Sequence, residues 1–82
     1  MKKLEILKHS GLTVRGTDWN ITTELWETSR GQNVLYRIQS NDFRTFLYDN
    51  RGFRAVSSGI PLKMLPKTVQ KFVVELDKST TI

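Results

Sequence analysis

The sequence predicts an α+β fold: an antiparallel β-meander of four to six strands with one C-terminal amphipathic helix packed on one face. Turn residues recur at short intervals as far as Pro61, and the runs between them, about six to eight residues long, are rich in β-branched and aromatic types. After Pro61 the apolar period lengthens from two to 3.6, as Val69, Phe72, Val73 and Leu76 fall at i, i+3, i+4 and i+7. The 82 residues suffice for one small domain, 1–82, with frayed ends expected at 1–3 and 79–82.

Taken in order, the punctuation is Ser10-Gly11, Gly16-Thr17-Asp18, Ser29-Arg30-Gly31-Gln32, Asn41-Asp42, Asp49-Asn50-Arg51-Gly52 and Ser57-Ser58-Gly59. Strands are therefore expected near 4–9, 12–15, 20–28, 33–40, 43–49 and 53–57. The helix is expected over about 66–78, since Pro66 suits a first turn where its missing N–H is not needed.

Tight turns fix register, and register decides which side chains share a face. A turn at Arg30-Gly31 sets Trp26 opposite Leu35, Glu24 opposite Arg37 and Leu25 opposite Tyr36. A turn at Asn41-Asp42 then sets Arg37 opposite Phe46, Leu35 opposite Tyr48 and Tyr36 opposite Leu47. An Asn50-Arg51 turn with Gly52 as a left-handed bulge residue sets Tyr48 opposite Arg54 and Leu47 opposite Ala55. One face collects Ile21, Leu25, Val34, Tyr36, Ile38, Phe43, Leu47, Phe53 and Ala55, and the helix is expected to cross it over Leu25, Tyr36 and Leu47.

The other face collects Trp26, Leu35, Phe46, Tyr48 and Val56 among Arg37, Arg44, Arg54, Gln39 and Glu24. Flat rings among guanidinium groups make a stacking platform for bases, with phosphate contacts alongside. The same residues could instead form a second small core beneath Leu4, Ile6, Leu7, Leu12 and Val14 of the N-terminal segment. Every arginine lies between positions 15 and 54 and every lysine before 9 or after 62, which places the planar forks on the sheet and the flexible charge at its margins.

Thirteen Lys plus Arg against eight Asp plus Glu leave a net charge of +5. The pI is about 9.9, so acidic partners are expected. There is no cysteine, hence no disulfide, no thiolate nucleophile and no Cys-type zinc site. The single histidine, His9, has no cleft-forming partners, the carboxylates are scattered singly, and no GxxxxGK[ST] or GxGxxG loop occurs. No enzymatic activity, metal or cofactor is therefore expected. No apolar run approaches the roughly 18 residues of a membrane span, and Glu5 and Lys8 interrupt the N-terminal apolar stretch before any signal cleavage site. The expected location is cytoplasmic, without membrane contact.

In the order of its elements alone, a small sheet followed by one helix, the chain resembles sheet-reading nucleic-acid modules of the integrase N-terminal and AP2 type. It carries none of their signature residues. The expected function is non-enzymatic binding of RNA or single-stranded nucleic acid through Arg37, Arg44, Phe46, Tyr48, Arg54 and Trp26, with Lys67 and Lys71 as auxiliary charge. The alternative is an accessory protein of phage or mobile-element type, which inhibits or modulates a host protein by presenting the same face to an acidic surface. Homodimerisation through a strand edge or that face is a further expectation.

Overall fold

The computed structural model describes residues 2–41, 45–56 and 60–79. Four antiparallel strands, β1 (Lys2–Val14), β2 (Thr17–Thr28), β3 (Gly31–Ser40) and β4 (Thr45–Asp49), lie side by side in chain order, and a helix, α1 (Lys67–Ser79), packs on one face. Among the described residues no helix is long and apolar enough to cross a membrane.

The two expected N-terminal strands are one. Ser10 and Gly11 do not turn but pair with Ile21 and Asn20, and the chain reverses at Arg15-Gly16, between the pair Val14 and Thr17. Both turn residues have positive φ, 50° and 81°, as a two-residue turn matched to the sheet twist requires. Glycine accepts that conformation freely, whereas Arg15 pays about 1–2 kcal/mol for its Cβ. Arg15→Asn, which makes the favoured Asn-Gly pair, is expected to raise stability by about 0.5–1 kcal/mol in urea denaturation; an unchanged midpoint would mean that Arg15 stores no strain. Lys2 and Lys3, expected at a frayed end, pair with Glu27 and Trp26, and two bulges interrupt the ladder between Lys3 and Glu5 and between Ile6 and Lys8.

The β2–β3 hairpin turns at Ser29-Arg30, one residue earlier than expected, so Thr28 pairs with Gly31 and Glu24 with Leu35. The Thr28 hydroxyl accepts from the Arg30 amide (3.2 Å) and donates to the Gly31 carbonyl (2.9 Å), while Gly31 takes φ 99° as the bulge residue that closes the loop. The pairing moves by two positions, so both strands keep their expected faces.

The β3–β4 register departs by one residue. Tyr36 pairs with Tyr48, Arg37 with Leu47 and Ile38 with Phe46. An Asn41-Asp42 two-residue turn would pair Ser40 with Phe43, but the last pair is Gln39 with Thr45, which leaves an odd loop length and turns β4 over. Phe46 and Tyr48 therefore face the helix, and Leu47 faces away. Of the expected strand at 53–57, position 57 lies outside the described residues, and the described part, 53–56, makes a bridge between Tyr48 and Ala55, flanked by bonds from the Asp49 amide to the Arg54 carbonyl and from the Val56 amide to the Leu47 carbonyl.

The core lies between the sheet and α1. Trp19, Ile21, Val34, Tyr36, Ile38, Phe46 and Tyr48 meet Val69, Val73 and Leu76, with Leu62 and Leu65 closing one side and Phe53, Ala55 and Phe72 packed around it. Each large apolar side chain buried there contributes roughly 1.5–3 kcal/mol. The helical stripe is the expected one, and α1 packs over Tyr36 as expected, its Asp77 accepting a bond from the Tyr36 hydroxyl at 2.7 Å. Leu47 is not beneath it.

Candidate nucleic-acid interface

The face of the sheet away from α1 is the candidate interface. Its centre is closed rather than bare, with Leu35 and Leu47 only 1% and 5% exposed. β1 lies at the edge of the sheet rather than across this face. It pairs along the edge beside β2, with Leu12 and Val14 packed into the helix-side core and Leu4, Ile6 and Leu7 left exposed.

At the centre of this face is Glu24, whose side chain is 1% exposed. Alternation along β2 places Thr22 and Trp26 on the same face, and Arg37 reaches over from β3. The carboxylate accepts from the Thr22 hydroxyl (2.7 Å), the Trp26 indole N–H (2.9 Å) and the Arg37 Nε–H (3.0 Å), with the Arg37 Nη2 at 3.5 Å. Burial pushes the Glu24 carboxyl up, but the hydrogen bonds from Arg37, Thr22 and Trp26 and the Arg37 charge outweigh it and hold the group below its ordinary value. Glu24 thus stays ionised, locks the Trp26 ring by its nitrogen, and absorbs much of the Arg37 charge.

A second cluster lies where β3 and β4 meet the turns at one end of the sheet. A groove of about 240 Å³ is lined by Arg30 and Asn33, by Leu35 and Asp49, and by Arg51, Arg54 and Val56, among others. Asp49 shapes it: one carboxylate oxygen accepts from the Arg51 and Arg54 amides (3.0 and 3.1 Å), and the other lies 3.4 Å from the Arg54 Nε. These bonds hold the loop through Gly52 (φ 83°) and Phe53 (φ 53°), a conformation that Phe53 sustains by packing its ring 6.1 Å from that of Tyr36. The groove's carboxylate is thus occupied, while Arg30 and Arg51 stand exposed at its rim.

Of the residues expected at the site, Trp26 and Arg37 share the open face around Glu24, and Arg54 lies in the groove. Phe46 and Tyr48 do not. They are 5% and 0% exposed on the helix side, the Tyr48 hydroxyl donating to the Ile60 carbonyl at 2.8 Å, so neither ring is open to a base. Arg44 lies outside the described residues. Lys67 and Lys71 are exposed on α1, across the sheet from this face. Arg30 and Arg51 were not among the expected residues, although a signal existed: in a meander, alternate turns fall at the same end, so Ser29-Arg30 and Asn50-Arg51 must converge. Among the described residues no three His, Asp or Glu gather as a metal site would require.

Comparison of the chain with protein-family models, with curated proteins and with solved structures finds no match.

Proposed function

We propose that the chain is a small non-enzymatic binding protein for RNA or single-stranded nucleic acid, engaged through the arginine-rimmed end of the open sheet face. The observation that supports this is the convergence of Arg30, Arg51 and Arg54 on one groove whose carboxylate, Asp49, is already engaged. Guanidinium forks suit phosphate oxygens, and a strand leaving the groove along the face meets Trp26, a ring already fixed by Glu24 for stacking. Arg37, tied to Glu24, serves to position rather than to bind phosphate. The test is an NMR titration of labelled protein with a short mixed-sequence RNA at low and at high salt. Shifts at Trp26, Arg30, Arg51 and Arg54 that fade with salt are expected, because released counterions make log K fall by roughly 0.7 per neutralised phosphate per log unit of salt. Silence at these residues would overturn the reading.

A second reading, an acidic protein surface as partner, is favoured by one observation. Ile6 and Lys3 pair with Glu24 and Trp26 and so share their face, which sets an exposed aliphatic beside the indole within a cationic border. A partner captured from lysate that survives nuclease treatment would decide for it.

A further inference from the structure

β1 is the first strand in sheet order, so one of its long sides meets β2 and the other meets no strand among the described residues. How that outer side is built follows from the Arg15-Gly16 turn. A two-residue turn makes the pair that closes it, Val14 and Thr17, a hydrogen-bonded one, and bonding then alternates along β1. Leu12 and Ser10 therefore bond to β2, whereas Thr13, Gly11 and His9 turn their amides and carbonyls outward. β2 shows the same parity from its far side: Asp18, the partner of Thr13, gives its carbonyl to the Asn41 amide at 3.1 Å, on the side of β3. From Lys8 to Val14 the ladder runs one for one, and both bulges lie before it. This regular stretch presents three donors and three acceptors at even spacing, the template on which a further strand forms.

Three features define that strand. The first is charge: β1 and its turn carry Lys2, Lys3, Lys8 and Arg15 against Glu5, all exposed. A second copy would bring the same excess, so the complement is an acidic segment. The second is the helix side, where Leu12 and Val14 pack against the core but stay only half-buried. A neighbouring strand with apolar side chains on that side completes their burial. The third is Gly11, which points toward the open face between His9 and Thr13 and brings no side chain there. A ring directly across from it can lie over the bare backbone, as aromatic residues do opposite glycine at a sheet edge.

We infer that the β1 edge from Lys8 to Val14 binds an extended acidic peptide segment as an added strand, with an aromatic residue opposite Gly11, apolar residues opposite Leu12 and Val14, and carboxylates toward Lys8 and Arg15. The edge shares no residue with the arginine-rimmed groove or with the patch of Lys3, Ile6 and Trp26, so failure of either reading above leaves it untouched.

The probe is the capped peptide Glu-Val-Thr-Val-Phe-Ser-Thr-Glu-Glu, titrated into the whole chain and followed by amide hydrogen exchange. The His9, Gly11 and Thr13 amides are expected to exchange freely without peptide and at least about tenfold more slowly at saturation. A peptide with Lys for every Glu should bind at least about tenfold more weakly. N-methylation of the Phe, whose amide faces β1, should cost at least about tenfold, and N-methylation of the Ser, whose amide faces away, less than about threefold. In the protein, Gly11→Pro removes only an outward donor, a place where edge strands accept proline, and a Cβ there meets nothing closer than 3.7 Å. It should lose at least about tenfold in affinity, and Lys8→Glu, which leaves the backbone intact, about threefold. Unchanged exchange at the three amides, equal binding of the lysine peptide, or equal losses from the two methylations would overturn the assignment. So would a dimer, seen by light scattering without peptide, that protects the same amides.

Discussion

Replacing Glu24 by alanine is expected to destabilise the fold by about 3–5 kcal/mol, the largest effect of any polar substitution on the open face. The loss comes less from the ion pair itself than from what remains: an Arg37 side chain two-thirds covered, an indole N–H and a threonine hydroxyl, all without their common acceptor. Glu24→Gln, which keeps an acceptor but turns an amide nitrogen toward part of this cluster, is expected to lose less. Acid dependence provides a second readout. Because the folded carboxyl sits below its ordinary value of 4.5, its contribution is complete above that pH and is lost as the pH falls through the lower folded value. Urea denaturation from pH 6 down to pH 3 should therefore show wild-type stability falling toward that of the alanine variant. Parallel curves for the two proteins across this range would show that Glu24 is not held ionised by its neighbours.

The triple variant Arg30→Gln, Arg51→Gln, Arg54→Gln is expected to bind single-stranded RNA about 100-fold more weakly at low salt and to lose about 2 from the slope of log K against log salt, as three phosphate contacts at roughly 0.7 each require. Stability should change by less than about 1 kcal/mol, since Arg30 and Arg51 are exposed and the Arg54 side chain is 67% exposed in its pair with Asp49. The Lys67→Gln, Lys71→Gln variant removes nearly as much charge from the other side of the molecule and is expected to cost less than fivefold. Fluorescence anisotropy over a salt series distinguishes them. Equal losses in the two variants would mean that the arginine groove has no part beyond net charge.

The elements were legible where one residue pattern admitted one solution. The 3.6 period of Val69, Phe72, Val73 and Leu76 allows a helix and nothing else, and the alternation through β2 and β3 survived a misplaced turn because a shift of two positions leaves the faces unchanged. β4 was different. Phe46, Leu47 and Tyr48 are consecutive and apolar, so alternation is silent about which of them face inward, and only the loop length decides. Packing supplies what the pattern lacks: two rings bury far more area than one leucine, and the Tyr48 hydroxyl finds the Ile60 carbonyl only from the helix side. Ser10-Gly11 misled in the opposite sense. A Cβ at Gly11 would meet nothing closer than the Trp19 carbonyl at 3.7 Å, so that glycine marks neither a turn nor a close approach, but simply a strand position. The open face was legible in part, through Trp26, Arg37 and Glu24, whereas the arginine groove depends on which turns converge, a property of topology rather than of any one segment.

β1 has one further consequence. Thirteen residues of unpaired edge, with Leu4, Ile6 and Leu7 partly exposed, would make a flat strand of this length a seed for open-ended polymerisation. The two bulges break the hydrogen-bonding rhythm on either side of Glu5-Ile6, and the lysines at positions 2, 3 and 8 give the edge a positive charge that a second copy would also carry. The irregularity in the ladder, which weakens β1 as a strand, thus opposes the register-matched stacking of identical edges on which a fibre depends.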